Sequence, residues 1–237
     1  MATYRKRAVV EVEGWLNKYM FGVLEAVYEV QQKLNVRGGI AEIGVHHGRF
    51  FMPLNAMVDH DEGSSIAIDL FENQALNIDK SGSGNRAKFL QNLERFDRHG
   101  GRNVTLIQGD STRLSTDDVA ALRRARPKVF SIDGGHTVEH TINDIELAAS
   151  SIHELGAIFL DDVPSQHWIG VTEGVISYLQ RRPTLWPVLI GFNKMLLVPM
   201  SVHHHYLESI RPSLAAPKVV QLCGYTMLSV LPPPRAG

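Results

Sequence analysis

The sequence predicts an α/β protein built on an open, doubly wound, mostly parallel sheet of seven strands, with an antiparallel C-terminal hairpin and an extra N-terminal helix. Three observations carry this expectation. Five short apolar runs, at residues 40–44, 65–69, 104–110, 128–133 and 156–162, alternate with segments of helical periodicity, which implies parallel pairing through right-handed crossovers. Each run finishes on a glycine or an acid, namely Gly44, Asp69, Asp110, Asp133 and the pair Asp161-Asp162. A chain of 237 residues, 44% hydrophobic and 21% charged, also suits one packed domain at about 100–200 residues per domain.

Taken in order, residues 11–34 place Val12, Trp15, Leu16, Tyr19, Met20, Val23, Leu24, Val27, Val30 and Leu34 at steps of three and four. That is the pattern of an amphipathic helix, with a break expected near Gly22. Residues 35–39 punctuate before the first strand. The segment 50–58 is helical in period, with Pro53 tolerated only in a first turn. Further helices are expected over 88–99, 119–125, 137–152 and 171–180. The runs 186–192 and 194–199 meet at Gly191-Phe192-Asn193 and form the hairpin, which brings the strand count to seven. Residues 203–210 read as helix and 219–231 as extended chain, while Pro232-Pro233-Pro234 cannot join a ladder. The polar stretch Ser81-Gly82-Ser83-Gly84-Asn85 reads as a surface loop beside the strand ends. The chain is thus expected to be a single domain over 1–237, with a helical extension at 1–38, a ligand-binding core at 39–200 and a C-terminal extension at 201–237.

Charge and cysteine usage exclude several classes. Lys and Arg number 24 against 25 Asp and Glu, a net charge of −1, so no global field draws in a phosphate backbone or an acidic membrane, and neither partner is expected. The single Cys223 supports neither a disulfide scaffold nor a thiolate metal cluster. No apolar run reaches the roughly 18 residues of a spanning helix, and the first ten residues lead into no signal-like segment. A cytoplasmic location is the corresponding expectation.

The chemistry concentrates at the strand ends. In Glu42-Ile43-Gly44-Val45-His46-His47-Gly48 the two glycines allow a tight turn against which a cofactor can lie, and Glu42 can accept hydrogen bonds or fix that turn. The position two after Gly44 is His46, so the GxGxxG pyrophosphate fingerprint is absent. Asp69 stands where an acid can receive both ribose hydroxyls, and Asp110 with Ser111 where an adenine amino group would lie, although each acid alone is commonly a helix cap. Together they describe an adenosine pocket with no demand for a diphosphate, which suits S-adenosylmethionine better than NAD.

A second constellation joins Asp133-Gly134-Gly135-His136 to Asp161-Asp162. Carboxylates on adjacent parallel strands, about 4.8 Å apart, can converge on one hard cation such as Mg²⁺, Mn²⁺ or Ca²⁺. His136 is then a candidate general base for a hydroxyl acidified by that cation. The competing account has Asp161 and Asp162 capping the next helix and His136 merely packing.

These motifs, in this order and spacing over about residues 38–200, resemble class I S-adenosylmethionine-dependent methyltransferases, and more narrowly the metal-dependent O-methyltransferases that act on sugar hydroxyls of macrolides, other glycosylated natural products or polysaccharides. The resemblance implies a Rossmann-like fold, S-adenosylmethionine bound by Glu42, Gly44, Gly48, Asp69, Asp110 and Ser111, and Mg²⁺ held by Asp133, Asp161 and Asp162. It also implies His136 as base, with Asp133 beside it in catalysis. Catechol-type relatives carry Asp-Asn where this chain has Asp161-Asp162, which tilts the acceptor towards a sugar or oligosaccharide and leaves a phenol as the alternative. An NAD-dependent oxidoreductase is disfavoured by the missing fingerprint. Trp168 and His167 could line the acceptor pocket, His203-His204-His205 reads as an exposed turn, and Arg123-Arg124-Ala125-Arg126 as a solvated helix end. The apolar face of residues 11–34 suggests a homo-oligomer.

Overall fold

The structure is a computed structural model that describes residues 2–59 and 63–231. Its strands are Ile40–Ile43 (β1), Ser65–Asp69 (β2), Val104–Gln108 (β3), Val129–Ile132 (β4), Ala157–Asp161 (β5), Leu185–Gly191 (β6), Lys194–Pro199 (β7), Lys218–Leu222 (β8) and Tyr225–Val230 (β9), and they form one sheet in the order β3-β2-β1-β4-β5-β7-β6-β9-β8. The first five are parallel to one another; β7 runs antiparallel to β5 and β6. Strand order reverses between β1 and β4, so the crevice where such sheets take ligands opens at the carboxyl ends of those two strands.

Helices cover both faces, as the alternation requires: Ala2–Glu11 (α1), Met20–Lys33 (α2), Phe51–Asn55 (α3), Arg86–Phe96 (α4), Thr116–Ala125 (α5), Val138–Ser151 (α6), Ile169–Gln180 (α7) and His203–Ile210 (α8). On β5, Phe159 faces one core with Val27, Phe51, Phe89 and Ile210, whereas Ile158 and Leu160 face the other with Leu122, Ile145 and Val175. The period of two in a strand buried on both sides produces this division. Each such side chain contributes about 1.5–3 kcal/mol by leaving water.

Local chemistry fixes the helix starts that border the crevice. Asn85 accepts the Lys88 amide at the head of α4, and Thr137 accepts the His140 amide at the head of α6. Ser115 and Asp118 form a capping box on α5. Pro53 lies in the first turn of α3, where its missing N–H costs nothing.

Two expectations need correction. The N-terminal segment is two helices rather than one, with the break over residues 12–19 instead of at Gly22, which lies inside α2. The sheet has nine strands, not seven, because residues 219–231 are not one extended run: Cys223 and Gly224, at φ 52° and 85°, make a tight turn between β8 and β9. Strand β9 then pairs in parallel with β6. The apolar face of α2 is buried within the chain, α2 packing against α8, so of that stripe Trp15 and Tyr19 are the residues left exposed for a second subunit to cover. Pro232-Pro233-Pro234 lies outside the described residues. Among the described residues no helix is long and apolar enough to cross a membrane.

Candidate active site

A cavity of about 450 Å³ opens at the carboxyl ends of β1 to β5. It is lined by Gly44, Asp69, Asp110, Ser111, Asp133, His136, Asp161 and Asp162, so most of the strand-end residues singled out from sequence share one space. Glu42 and Gly48 do not line it. Glu42 is buried on β1, where its Oε1 accepts the Ser131 hydroxyl at 2.9 Å, and burial pushes its carboxyl up to about 8. Gly48, at φ 91°, lets the turn lie on Met52 and Phe89.

The floor is a backbone crossing. Gly44, at φ 80°, lies so close to β4 that a Cβ there would sit 1.7 Å from the Asp133 carbonyl oxygen. Its amide donates to Ile68 O at 2.8 Å. Asp69 closes the adjoining wall, its two carboxylate oxygens accepting the amides of His46 (2.7 Å) and Phe71 (2.6 Å). Burial raises its carboxyl despite those bonds. Each oxygen keeps a second lone pair for a hydroxyl. Asp110 accepts the amide and hydroxyl of Thr112 at 2.9 and 2.7 Å, with His140 Nε2 at 3.4 Å. Burial works against its charge, but the bonds from Thr112 prevail and lower its carboxyl.

Another part of the cavity wall is densely charged. One ligand atom each from Asp133, His136 and Asp162 lies within 4.8 Å of the others. His136 Nε2 is 3.1 Å from Asp162 Oδ2 and 3.7 Å from Asp133 Oδ1. Burial would discharge this imidazole, yet the carboxylates of Asp133, Asp162 and Asp79 overcome it and raise its pKa to about 10. Asp162 takes a left-handed backbone at φ 58°, rare for a residue with a side chain, and its amide donates to Asp161 Oδ1 at 2.9 Å.

Asp161 stands apart from that group of three, because it is engaged by the buried ammonium of Lys194 on β7 and by Asn193 Nδ2 at 3.2 Å. Burial pushes the Asp161 carboxyl up to about 7. Burial also opposes the charge on Lys194, but the carboxylates of Asp161 and Asp133 outweigh it and hold the ammonium above the ordinary lysine range.

Several site residues escaped the sequence reading. Asp79, Asn77 and Ile78 come from the irregular stretch between β2 and α4, which does border the site. His140 was hidden inside a helical pattern, and Lys194 inside an apolar strand. The signal for Lys194 was available: a lysine flanked by Met195, Leu196 and Leu197 in a strand covered on both faces must be buried with a partner. Trp168 stacks on the His136 ring at 4.3 Å, whereas His167 does not line the cavity. Of the three adjacent histidines, His203 bonds Pro187 O while His204 faces Glu208 in solvent, so they form no cluster.

Comparison with known proteins agrees with the fold. The structure is similar to the O-methyltransferase NovP, with a TM-score of 0.56 and 13% identity over 74% of this chain and 77% of that one. It is similar to CalS11, described as a TDP-rhamnose 3′-O-methyltransferase of calicheamicin biosynthesis, with a TM-score of 0.51 and 15% identity over 84% and 93%. A third is MycE, a methyltransferase of mycinamycin biosynthesis solved with Mg and SAH, at 0.51 and 14%, covering 83% of this chain and 53% of that one. At such identities these likenesses establish the fold alone. No curated protein sequence matches the chain. The sequence pattern of the family described as a methyltransferase domain, however, matches residues 41–163, which is just over half the chain and contains every strand-end acid described above. The chain belongs to the methyltransferase-domain family.

Proposed function

We propose that the protein transfers the methyl group of S-adenosylmethionine to a hydroxyl of a sugar, in a glycoside, oligosaccharide or natural product, with a divalent cation, Mg²⁺ by preference, at the acidic corner of the cavity. The observation that carries this reading is the placement of a two-carboxylate and histidine group in the same cavity as Gly44, Asp69 and Asp110.

The residues present fit both groups. The cavity is within the usual range for a small-molecule site. Gly44 leaves the backbone bare, and Asp69 and Asp110 keep acceptor capacity for ribose and adenine. For the cation, Asp133 and Asp162 offer hard oxygen donors, with Asp161 next to them. The local charge also calls for one. Among the described residues, Asp79, Asp133, Asp161 and Asp162 face two cationic groups, Lys194 and a protonated His136. A divalent cation held there supplies charge that acidifies an acceptor hydroxyl and offsets the carboxylates that otherwise keep His136 protonated. Sugar hydroxyls have high pKa values, so that assistance matters more for them than for phenols.

In this reading Asp133 and Asp162 bind and orient, and His136 Nε2 accepts the hydroxyl proton. The acceptor oxygen forms a bond to the methyl carbon as the carbon–sulfur bond breaks, leaving a neutral thioether. The stacked Trp168 shields one face of the imidazole from water. The description of CalS11 gives that protein a TDP-rhamnose acceptor and the description of MycE gives that one a bound Mg, and the acidic pair Asp161-Asp162 supports the same choices here.

The test is a screen of labelled methyl transfer over glycosides, free sugars and catechols, together with calorimetry. S-Adenosylhomocysteine is expected to bind with micromolar affinity, about −8 kcal/mol, and NAD not to bind. Transfer to catechols but not to sugars would replace the acceptor class; heat from NAD alone would defeat the methyltransferase reading.

A further inference from the structure

The His136 imidazole is held from an unexpected direction. Its Nδ1 lies 2.7 Å from Asp79 Oδ2, and the same oxygen accepts the His136 backbone amide at 2.9 Å. Asp79 is 57 residues earlier in the chain, in the irregular segment between β2 and α4. Its other oxygen is fixed too: Oδ1 accepts the amide of Ser81 at 2.8 Å and its hydroxyl at 2.6 Å. Asn77 Nδ2 in turn donates to Ser81 O at 3.0 Å, which closes the loop on itself. Ordinary loop closure would be satisfied by the bonds to Ser81; the bonds to His136 span two distant parts of the fold. The Asp79 side chain is 11% exposed, and hydrogen bonds from Ser81 and His136 overcome its burial and lower its carboxyl to about 2.

The geometry points to Asp79 as the positioning residue of His136. A carboxylate has no proton to give, so the Nδ1 facing Asp79 carries a hydrogen; Nε2 likewise points a hydrogen at Asp162, 3.1 Å away, and it is Nε2 whose lone pair is exposed where a bound cation engages Asp162 instead. Nε2 is the nitrogen that faces Asp133 and Asp162. With Trp168 stacked on the ring at an interplanar angle of 17°, rotation about the ring axis is blocked as well. The same segment also meets the cofactor wall. Gly84 lies so close to Asp69 that a Cβ there would be 2.3 Å from its Oδ1. One stretch of chain therefore touches both the acid proposed for the ribose and the imidazole proposed as base. The role rests on the function proposed above, since positioning matters only if His136 accepts a proton.

Asp79→Asn tests this, because the amide keeps the shape and an oxygen for Ser81 but places an NH₂ where the ring N–H points. In the Mg²⁺-loaded parent, nitrogen-15 spectra are expected to show His136 protonated at Nδ1 through a downfield proton signal that exchanges slowly. In the variant that signal should vanish. The kcat should fall about 10–100-fold, the range for losing a partner that orients a functional histidine, with acceptor KM and S-adenosylhomocysteine affinity nearly unchanged. Asp79→Glu, which retains the acceptor, should recover part of the rate. If Asp79→Asn does not fold, Ser81→Ala removes the hydroxyl that bonds Asp79 Oδ1 at 2.6 Å and also lies 3.2 Å from His136 Nδ1, and a smaller fall in kcat at constant affinity is expected. A parental kcat in the folded variants, or an unchanged Nδ1 signal in Asp79→Asn, overturns the proposal. If the parent moves no methyl group while the signal still depends on Asp79, the enzymatic reading fails and the ring placement stands.

Discussion

Lys194→Met in the metal-free protein is the most severe single perturbation that the fold around the site invites. The lysine side chain is 4% exposed, its ammonium engages Asp161, which is 11% exposed, and it lies 4.4 Å from the centre of the Phe50 ring. Methionine fills nearly the same volume, so little packing is lost. What is lost is the cation among Asp161, Asp133 and Glu42. Breaking a buried pair by removing one partner costs about 3–5 kcal/mol, and the lost contact with Phe50 adds about 0.5–2 kcal/mol. The cost should depend on pH. Without Lys194 the Asp161 carboxyl titrates still higher than its present value of about 7, far above an unfolded aspartate. A folded pKa raised above the unfolded one gives stability that is intact at low pH and lost as pH rises towards the folded value. Parent and variant lose this stability in parallel up to the parent's value of about 7, so the deficit should widen from about pH 7 to pH 9. Urea unfolding in EDTA measures it. Adding Asp161→Asn to Lys194→Met should restore a large share of the stability, giving a coupling well above the scatter of independent sites. A loss under about 1 kcal/mol, or strict additivity of the two changes, would refute the ion-pair account.

Two further outcomes follow from the buried geometry. Gly44→Ala forces a Cβ onto the Asp133 carbonyl at a φ of 80° and should cost about 2–5 kcal/mol, the sum of overpacking and left-handed strain, while weakening S-adenosylhomocysteine binding; parental values in urea unfolding and calorimetry would contradict the close crossing. Glu42→Gln should flatten the pH dependence of stability. The parent binds a proton at Glu42 that the unfolded chain releases above its ordinary value of 4.5, so its stability falls as pH rises from there to about 8, and the variant should be the more stable of the two at pH 8. Equal pH profiles for parent and variant would show that Glu42 does not titrate in this way.

Much of the fold was legible because each of the first five strands is a short apolar run closed by a residue with a distinct job. Alternation with helical segments dictated parallel pairing, and parallel pairing brought Gly44, Asp69, Asp110, Asp133 and Asp162 to one edge. The hairpin of β8 and β9 was not legible, since Cys223-Gly224 is not a pair that advertises a left-handed turn and the flanking residues are uniformly extended formers. Glu42 was misjudged for another reason. Glu42 is one residue before the end of β1, so its side chain alternates with that of Ile43, and here it meets Ser131 instead of the cavity. Asp79 left no trace in periodicity because it lies in irregular chain, and its partner is chosen by tertiary folding alone.

The most direct test of the central claim is the rate of labelled methyl transfer from S-adenosylmethionine to a glycoside acceptor, measured with Mg²⁺, after EDTA, and after Mg²⁺ is restored, for the parent and for His136→Ala. Turnover should require the cation, return with it, and fall by about 10²–10⁴ in the variant without loss of S-adenosylhomocysteine affinity. Full turnover in EDTA, with His136→Ala as fast as the parent, would contradict the account and reduce the acidic corner to a structural feature.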